Sequence, residues 1–242
     1  MKAVAVRFIF AVALIIIVAC GSARADQVTY ITPSGSLAGG QPVDASAVFT
    51  TGNGTLSITL TDLQANPTSV VQLISDLDFT LSNGATVGTL VSSSAQEITV
   101  NSNGTPTLGS TVSTGWALNT FGGGLQLNVL GTPTGPSHLI IGPPDGSNLY
   151  SNANGSIAGN GPHNPFLDQS ATFILDIAGV TGDTSVTSAT FSFGTTAGID
   201  VPGTPVSTPE PGSISLLLSG MLGLGLMVAT ARLQRNRVAS AA

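Results

Sequence analysis

Between Ala25 and Arg232 this 242-residue sequence contains no lysine and no arginine. All six basic residues are terminal: Lys2, Arg7 and Arg24 near the start, Arg232, Arg235 and Arg237 near the end. The gap excludes whole classes of function. A nucleic-acid partner needs lysine or arginine against phosphate, so none is expected. A Lys–Asn isopeptide crosslink lacks its amine. The carboxylates of the interval have no ordinary salt-bridge partner. Water, hydroxyls, backbone N–H groups, a protonated histidine or a bound cation must meet them instead.

Other scarcities narrow the field further. The one cysteine is Cys20, inside an N-terminal apolar stretch, so the body has no disulfide, no thiol nucleophile and no thiolate-ligated metal. Charged residues are 7% of the chain and glycine supplies 30 positions, a composition unlike a helical bundle or a coiled coil. What remains is an acidic, hydroxyl-rich chain of net charge -6, long enough for one sizeable domain plus terminal segments.

The termini are organised by charge and hydropathy. Residues 1–25 read as a signal peptide, with Lys2 and Arg7 as the positive region and Phe8 to Ala19 as the apolar region. Ala23 and Ala25 supply the small residues for cleavage before Asp26 by signal peptidase. A competing reading takes Ile17 to Gly21, "IVACG", as a lipobox with Cys20 lipidated; an uncleaved anchor is disfavoured by the shortness of the apolar stretch. At the other end, residues 213–231 are uncharged and would span about 28 Å as a helix, enough for a transmembrane helix. Arg232, Arg235 and Arg237 follow and mark that flank as cytoplasmic. Both ends therefore place residues 26–207 outside the cytoplasm as an ectodomain.

Directly before the apolar run stand Pro209, Glu210 and Pro211. The prolines fix φ and remove N–H donors, so this segment stays extended and Glu210 is presented as the one charge at the boundary. The order Pro-Glu-Pro, apolar helix and basic tail over residues 208–237 resembles the PEP-CTERM sorting signal of Gram-negative bacteria. The basic stretch "RLQRNR" is interrupted and five uncharged residues follow it, a departure that leaves the topology intact. The resemblance implies recognition by exosortase, a membrane-embedded cysteine-dependent enzyme that cleaves near the motif. It further implies an inner-membrane-anchored precursor destined for the cell surface or extracellular matrix, and a link to exopolysaccharide and biofilm.

The body reads as all-β. Leu56, Ile58 and Leu60 alternate with Ser57, Thr59 and Thr61. The same period places Leu77, Phe79 and Leu81 on one face, likewise Leu125, Leu127 and Val129, then Phe173, Leu175 and Ile177, then Ala189, Phe191 and Phe193. Asn-Gly pairs at 53–54, 83–84, 103–104 and 154–155 predict hairpin turns, the pair at 83–84 most clearly. A short helical turn is expected within residues 69–74. Many short half-polar strands predict an antiparallel β-sandwich, jelly-roll-like, with residues 131–165 as a long Gly/Pro/Asn-rich loop.

Chemistry-bearing constellations are sparse. There is no Gly-x-Ser-x-Gly elbow, no His-x-x-x-His and no lysine-bearing phosphate loop. Asp76 and Asp78 share a strand face, too close in sequence to flank a sugar as glycosidase carboxylates do. They, or Asp145 with loop oxygens, are candidate ligands for Ca²⁺; no other cofactor and no other metal is expected. His138 and His163 fall in the 131–165 segment without a completing zinc ligand set. Trp116 and Tyr150 are the aromatic candidates for carbohydrate binding, with burial in the core as the competing reading. Ser/Thr richness suits a hydrated surface and O-glycosylation, while Asn53, Asn103 and Asn154 stand in Asn-x-Ser/Thr sequons. The resulting expectation is a non-catalytic exported matrix or surface protein; a lectin-like module is the alternative, and a polysaccharide-active enzyme a third.

Overall fold

The computed structural model describes residues 27–158, 163–196 and 198–206, together with Gly220, Met221 and Gly223, which are helical. The chain divides into two compact units, Met1–Val206 and Ser207–Ala242. Among the described residues no helix is long and apolar enough to cross a membrane. The first unit is built of strands, as the alternating pattern predicts.

Fifteen strands follow in order: β1 (Gln27–Ile31), β2 (Leu37–Ala38), β3 (Gln41–Pro42), β4 (Ala45–Thr51), β5 (Thr55–Asp62), β6 (Ile74–Leu81), β7 (Thr89–Val100) and β8 (Pro106–Val112). Then come β9 (Ala117–Phe121), β10 (Gly124–Asn128), β11 (Ile140–Ile141), β12 (Phe166–Asp176), β13 (Val186–Phe193), β14 (Asp200–Pro202) and β15 (Thr204–Val206). One half runs β14-β13-β6-β10-β9, all antiparallel. The other runs β8-β7-β12-β5-β4-β1-β15, also antiparallel.

Two devices fuse these halves into one 13-stranded mixed sheet. Strand β11 touches β6 at Ile74 and lies parallel to β12 at Leu167 and Asp168. At the end of the first unit, β14 sits on β13 and β15 on β1, so residues 200–206 cross from one half to the other at Gly203. A Cβ there would stand 2.9 Å from the Phe191 ring and 3.1 Å from the Ala189 carbonyl, which explains the glycine. The expectation of purely antiparallel pairing is thus corrected at β11, a two-residue strand joined to its parallel neighbour β12 through the long connection 142–165, as a parallel pair requires.

The apolar faces of the two halves meet. Phe49 on β4 and Phe79 on β6 have ring centroids 5.5 Å apart, and the Tyr30 hydroxyl on β1 donates to the Val186 carbonyl at 3.0 Å. Leu56, Ile58, Leu60, Leu77, Phe173, Leu175, Ile177, Phe191 and Phe193 are wholly buried, as their period-two spacing predicts. At roughly 25 cal/mol per Å² of apolar surface, each such side chain contributes about 1.5–3 kcal/mol of transfer free energy. Nothing covalent is needed to hold this core.

The four Asn-Gly expectations meet different outcomes. Gly54 (φ 75) and Gly104 (φ 87) sit in the β4–β5 and β7–β8 hairpins as the Asn-Gly rule requires. Asn83-Gly84 does turn the chain, with the Gly84 N–H on the Leu81 carbonyl, but β6 and β7 do not pair. Both edges of β6 are taken, by β13 and β10, so β7 joins β12 instead. Asn154-Gly155 falls inside a wide helical turn, Ala153–Ile157, and makes no hairpin. The expected short helical turn is present at Val70–Gln72, closed by a reciprocal Ser69–Gln72 capping box.

Residues 131–165 also differ from a detached loop. Leu139, Ile140, Ile141, Tyr150, Ala153 and Ile157 are all buried in the core cluster. Glycine and proline set the backbone path of this segment, yet its few apolar residues decide where it lies.

Candidate functional site

The outward face of β6 carries Asp76, Asp78 and Thr80, because Leu77, Phe79 and Leu81 face the core. Register then fixes the neighbours. Asp76 lies opposite Asn128 on β10 and Ser192 on β13, while Asp78 lies opposite Gln126 and Thr190. Asp200 on β14 is the partner of Ser192 and accepts that serine's hydroxyl at 2.7 Å. Asp76 is only 7% exposed. Oδ1 of Asp76, Oδ1 of Asp78 and Oδ1 of Asn128 are all buried and have no hydrogen-bond partner.

Burial first, then the charges of Asp78 and Asp200, push the Asp76 carboxyl up to about 8. Asp78 is raised as well, chiefly by burial, against a lowering contribution from Gln126. The pair therefore holds a proton at neutral pH, shared between two carboxyls two residues apart on one strand. Sequence spacing placed Asp76 and Asp78 on one face. Asn128, Ser192 and Asp200 come there from distant strands, and no local signal in the sequence identifies them. Among the described residues, no three His, Cys, Asp or Glu side chains converge in a metal-holding group.

The other candidates are accounted for inside the fold. Trp116 is 5% exposed, packs on Phe173 with ring centroids 5.3 Å apart, and donates its indole N–H to the His138 carbonyl at 2.9 Å. Tyr150 is 2% exposed and donates to the Gly142 carbonyl at 2.9 Å. Neither presents a ring face to a sugar, which corrects their candidacy as stacking platforms; each aromatic body is worth more inside this core than on its surface. Asp145 uses Oδ1 to accept the Ser147 and Leu149 N–H groups, both at 2.9 Å, and so serves its own turn.

The histidines separate. His138 places Nδ1 2.8 Å from the Thr114 carbonyl and Nε2 3.0 Å from Glu97 Oε1. The ring thus bridges a backbone carbonyl and a carboxylate, with both of its nitrogens engaged. His163 is buried with Nδ1 unpartnered, and burial lowers its affinity for a proton. Asp62 is a further buried acid that the sequence pattern did not single out. Its Oδ1 accepts the Gln64 N–H at 3.0 Å, its Oδ2 has no partner, and burial raises it well above the usual carboxylate range.

A separate shallow hollow of about 380 Å³ opens on β7, β8 and β12, lined by Ser94, Gln96, Thr111, Asp168, Gln169 and Thr172 among others. Gln169 there has φ 58, in the left-handed region, where the β12 register shifts between Leu167 and Ala171.

The sorting residues Pro209, Glu210 and Pro211, the arginines 232, 235 and 237, Cys20, and the cleavage pair Ala23 and Ala25 lie outside the described residues. Comparison of the chain with protein-family models, with curated proteins and with solved structures gives no match.

Proposed function

We propose that this protein is an exported, non-catalytic surface or extracellular-matrix component. In this reading an N-terminal signal peptide exports it, a C-terminal transmembrane helix tethers it, and exosortase releases it at Pro209-Glu210-Pro211. Its body acts as a jelly-roll-like β-sandwich, a hydrated and anionic unit placed among exopolysaccharide. The observation that carries the reading is the distribution of charge: every lysine and arginine flanks a terminal apolar segment, and none lies between Ala25 and Arg232. Positive charge beside an apolar segment sets membrane orientation, and these two sets agree in placing the body outside.

The reading is tested in a Gram-negative host that carries an exosortase. Glu210→Ala removes the charge at the membrane boundary and should leave full-length protein in the inner membrane. Unchanged release of the body refutes recognition of the motif. A full chain found soluble in the cytoplasm refutes the topology as well.

Carbohydrate binding remains the second reading, with a changed seat. The hollow on β7, β8 and β12 is rich in hydroxyl, amide and carboxylate groups, the kind of lining that hydrogen-bonds sugar hydroxyls. Retention of the full chain on immobilised polysaccharide, lost in Gln169→Ala and Asp168→Asn, supports it; no retention removes it.

A further inference from the structure

We infer that the outward face of β6 and β10 is a binding site for a divalent cation of the calcium type, with Asp76, Asp78 and Asn128 as its side-chain ligands. Three oxygens, one from each residue, are buried without a hydrogen-bond partner. Register brings them together: Asp76 and Asn128 are directly opposite across two strands, and Asp78 is two residues along on the same face. Buried polar atoms in folded proteins are rarely left unpaired, and three unpartnered oxygens on one face call for one shared electrophile.

Among the described residues the Gln126 side chain hydrogen-bonds Asp78, but no basic side chain takes a cation's place. The region between Ala25 and Arg232 has no lysine or arginine to approach this face. His138 is held by Glu97 and Thr114, and neither histidine lies on β6, β10, β13 or β14. The Ser192 hydroxyl, on the residue opposite Asp76, is directed to Asp200. A charged Asp76 carboxylate, 7% exposed, therefore meets no basic side chain among the described residues.

Ligand chemistry selects the class of ion. All three donors are oxygens, two of them carboxylate, with no nitrogen or sulfur, which suits a hard cation. Two carboxylates from a rigid strand and one amide oxygen from its neighbour make an irregular set, completed by water. Calcium accepts such geometry more readily than magnesium, which demands a near-ideal octahedron. With only two charged ligands the affinity belongs to the weak extracellular range, Kd on the order of 10⁻⁴ to 10⁻³ M.

The other groups facing the site are acidic or uncharged: Asp200 on β14, Gln126 on β10, and Thr190 and Ser192 on β13.

The experiment uses the full chain in detergent, stripped with EDTA, then titrated with CaCl₂ by calorimetry. The expected result is one saturable site and a melting temperature raised by about 5 °C at a hundredfold excess over Kd. MgCl₂ should bind at least tenfold more weakly. Asp78→Asn should weaken calcium at least tenfold, and the uncharged Asn128→Ala several-fold in the same direction. No heat and no thermal shift up to 10 mM CaCl₂ in the wild-type chain overturns the inference. So does unchanged binding in the Asp76→Asn/Asp78→Asn double variant, provided its circular dichroism matches the wild type. Should that variant fail to fold, Asn128→Ala decides: calcium affinity unchanged in that variant overturns the inference.

Discussion

Replacing Asp76 by asparagine should stabilise this protein at alkaline pH, and the size of the gain can be worked from the structure. The folded protein holds the Asp76 proton up to about pH 8, against an ordinary value of 3.8. For an acid raised in this way, the unfolded chain loses its proton first. Stability is therefore highest below pH 4, falls as pH rises, and levels off above about 8. At roughly 1.4 kcal/mol per pH unit the ceiling on the whole loss is about 6 kcal/mol, of which about 4 lies between pH 5 and pH 8. Relaxation and water entry reduce this, so a difference of about 2–4 kcal/mol between wild type and Asp76→Asn is expected at pH 9. That is a large part of the stability of a typical domain.

Urea denaturation in EDTA across pH 5–9, followed by circular dichroism, reads the difference directly. With a slope near 2 kcal/mol/M, the midpoints should diverge by about 1–2 M at pH 9 and converge towards pH 5. Taking wild type minus variant removes the opposing contribution of His163. Its lowered proton affinity makes stability fall as pH drops through 6.5. Parallel curves at all pH values, or a variant that is less stable at pH 9, refute the reasoning that Asp76 is an uncompensated buried acid.

Further outcomes are expected elsewhere. Trp116→Ala removes a buried ring packed on Phe173 and should cost about 3–5 kcal/mol of stability in the same denaturation assay; a cost under about 1 kcal/mol would place the ring outside the core. Gly104→Ala should destabilise by more than about 1 kcal/mol, because the backbone has φ 87 and the new Cβ would stand 2.5 Å from the Tyr150 carbonyl. Gly122→Ala in the β9–β10 turn, at φ 52 with open space around it, tests the conformational contribution alone. Trypsin acting on denatured protein should leave residues 25–232 as one fragment by mass spectrometry, since no lysine or arginine intervenes.

Much of this architecture was legible locally. The period-two alternation of "TLSITLTDL" assigned Leu56, Ile58 and Leu60 to the core, because side chains of a strand alternate faces whatever the strand pairs with. Asn53-Gly54 and Asn103-Gly104 named their hairpins, since the required positive φ is a property of the residues themselves. Asn83-Gly84 shows where such reasoning stops. The turn forms, but the partner of β7 is settled by which edges remain free after β13 and β10 have docked on β6. Likewise the glycine and proline content of residues 131–165 described a backbone path, while burial of Leu139, Ile140 and Ile141 depended on a core assembled by other strands.

The amino-acid sequence by itself determined the all-β character, the absence of any lysine or arginine across the body, and the face shared by Asp76 and Asp78, all of which depend on composition and on the two-residue period of a strand. Only the tertiary structure decided that Trp116 and Tyr150 lie inside, that His138 meets Glu97, and that Asn128 and Asp200 come to the face of β6. Those contacts join residues tens of positions apart through strand order and register, which local pattern does not encode, and they turn a pair of ordinary acids into a buried, unpaired cluster.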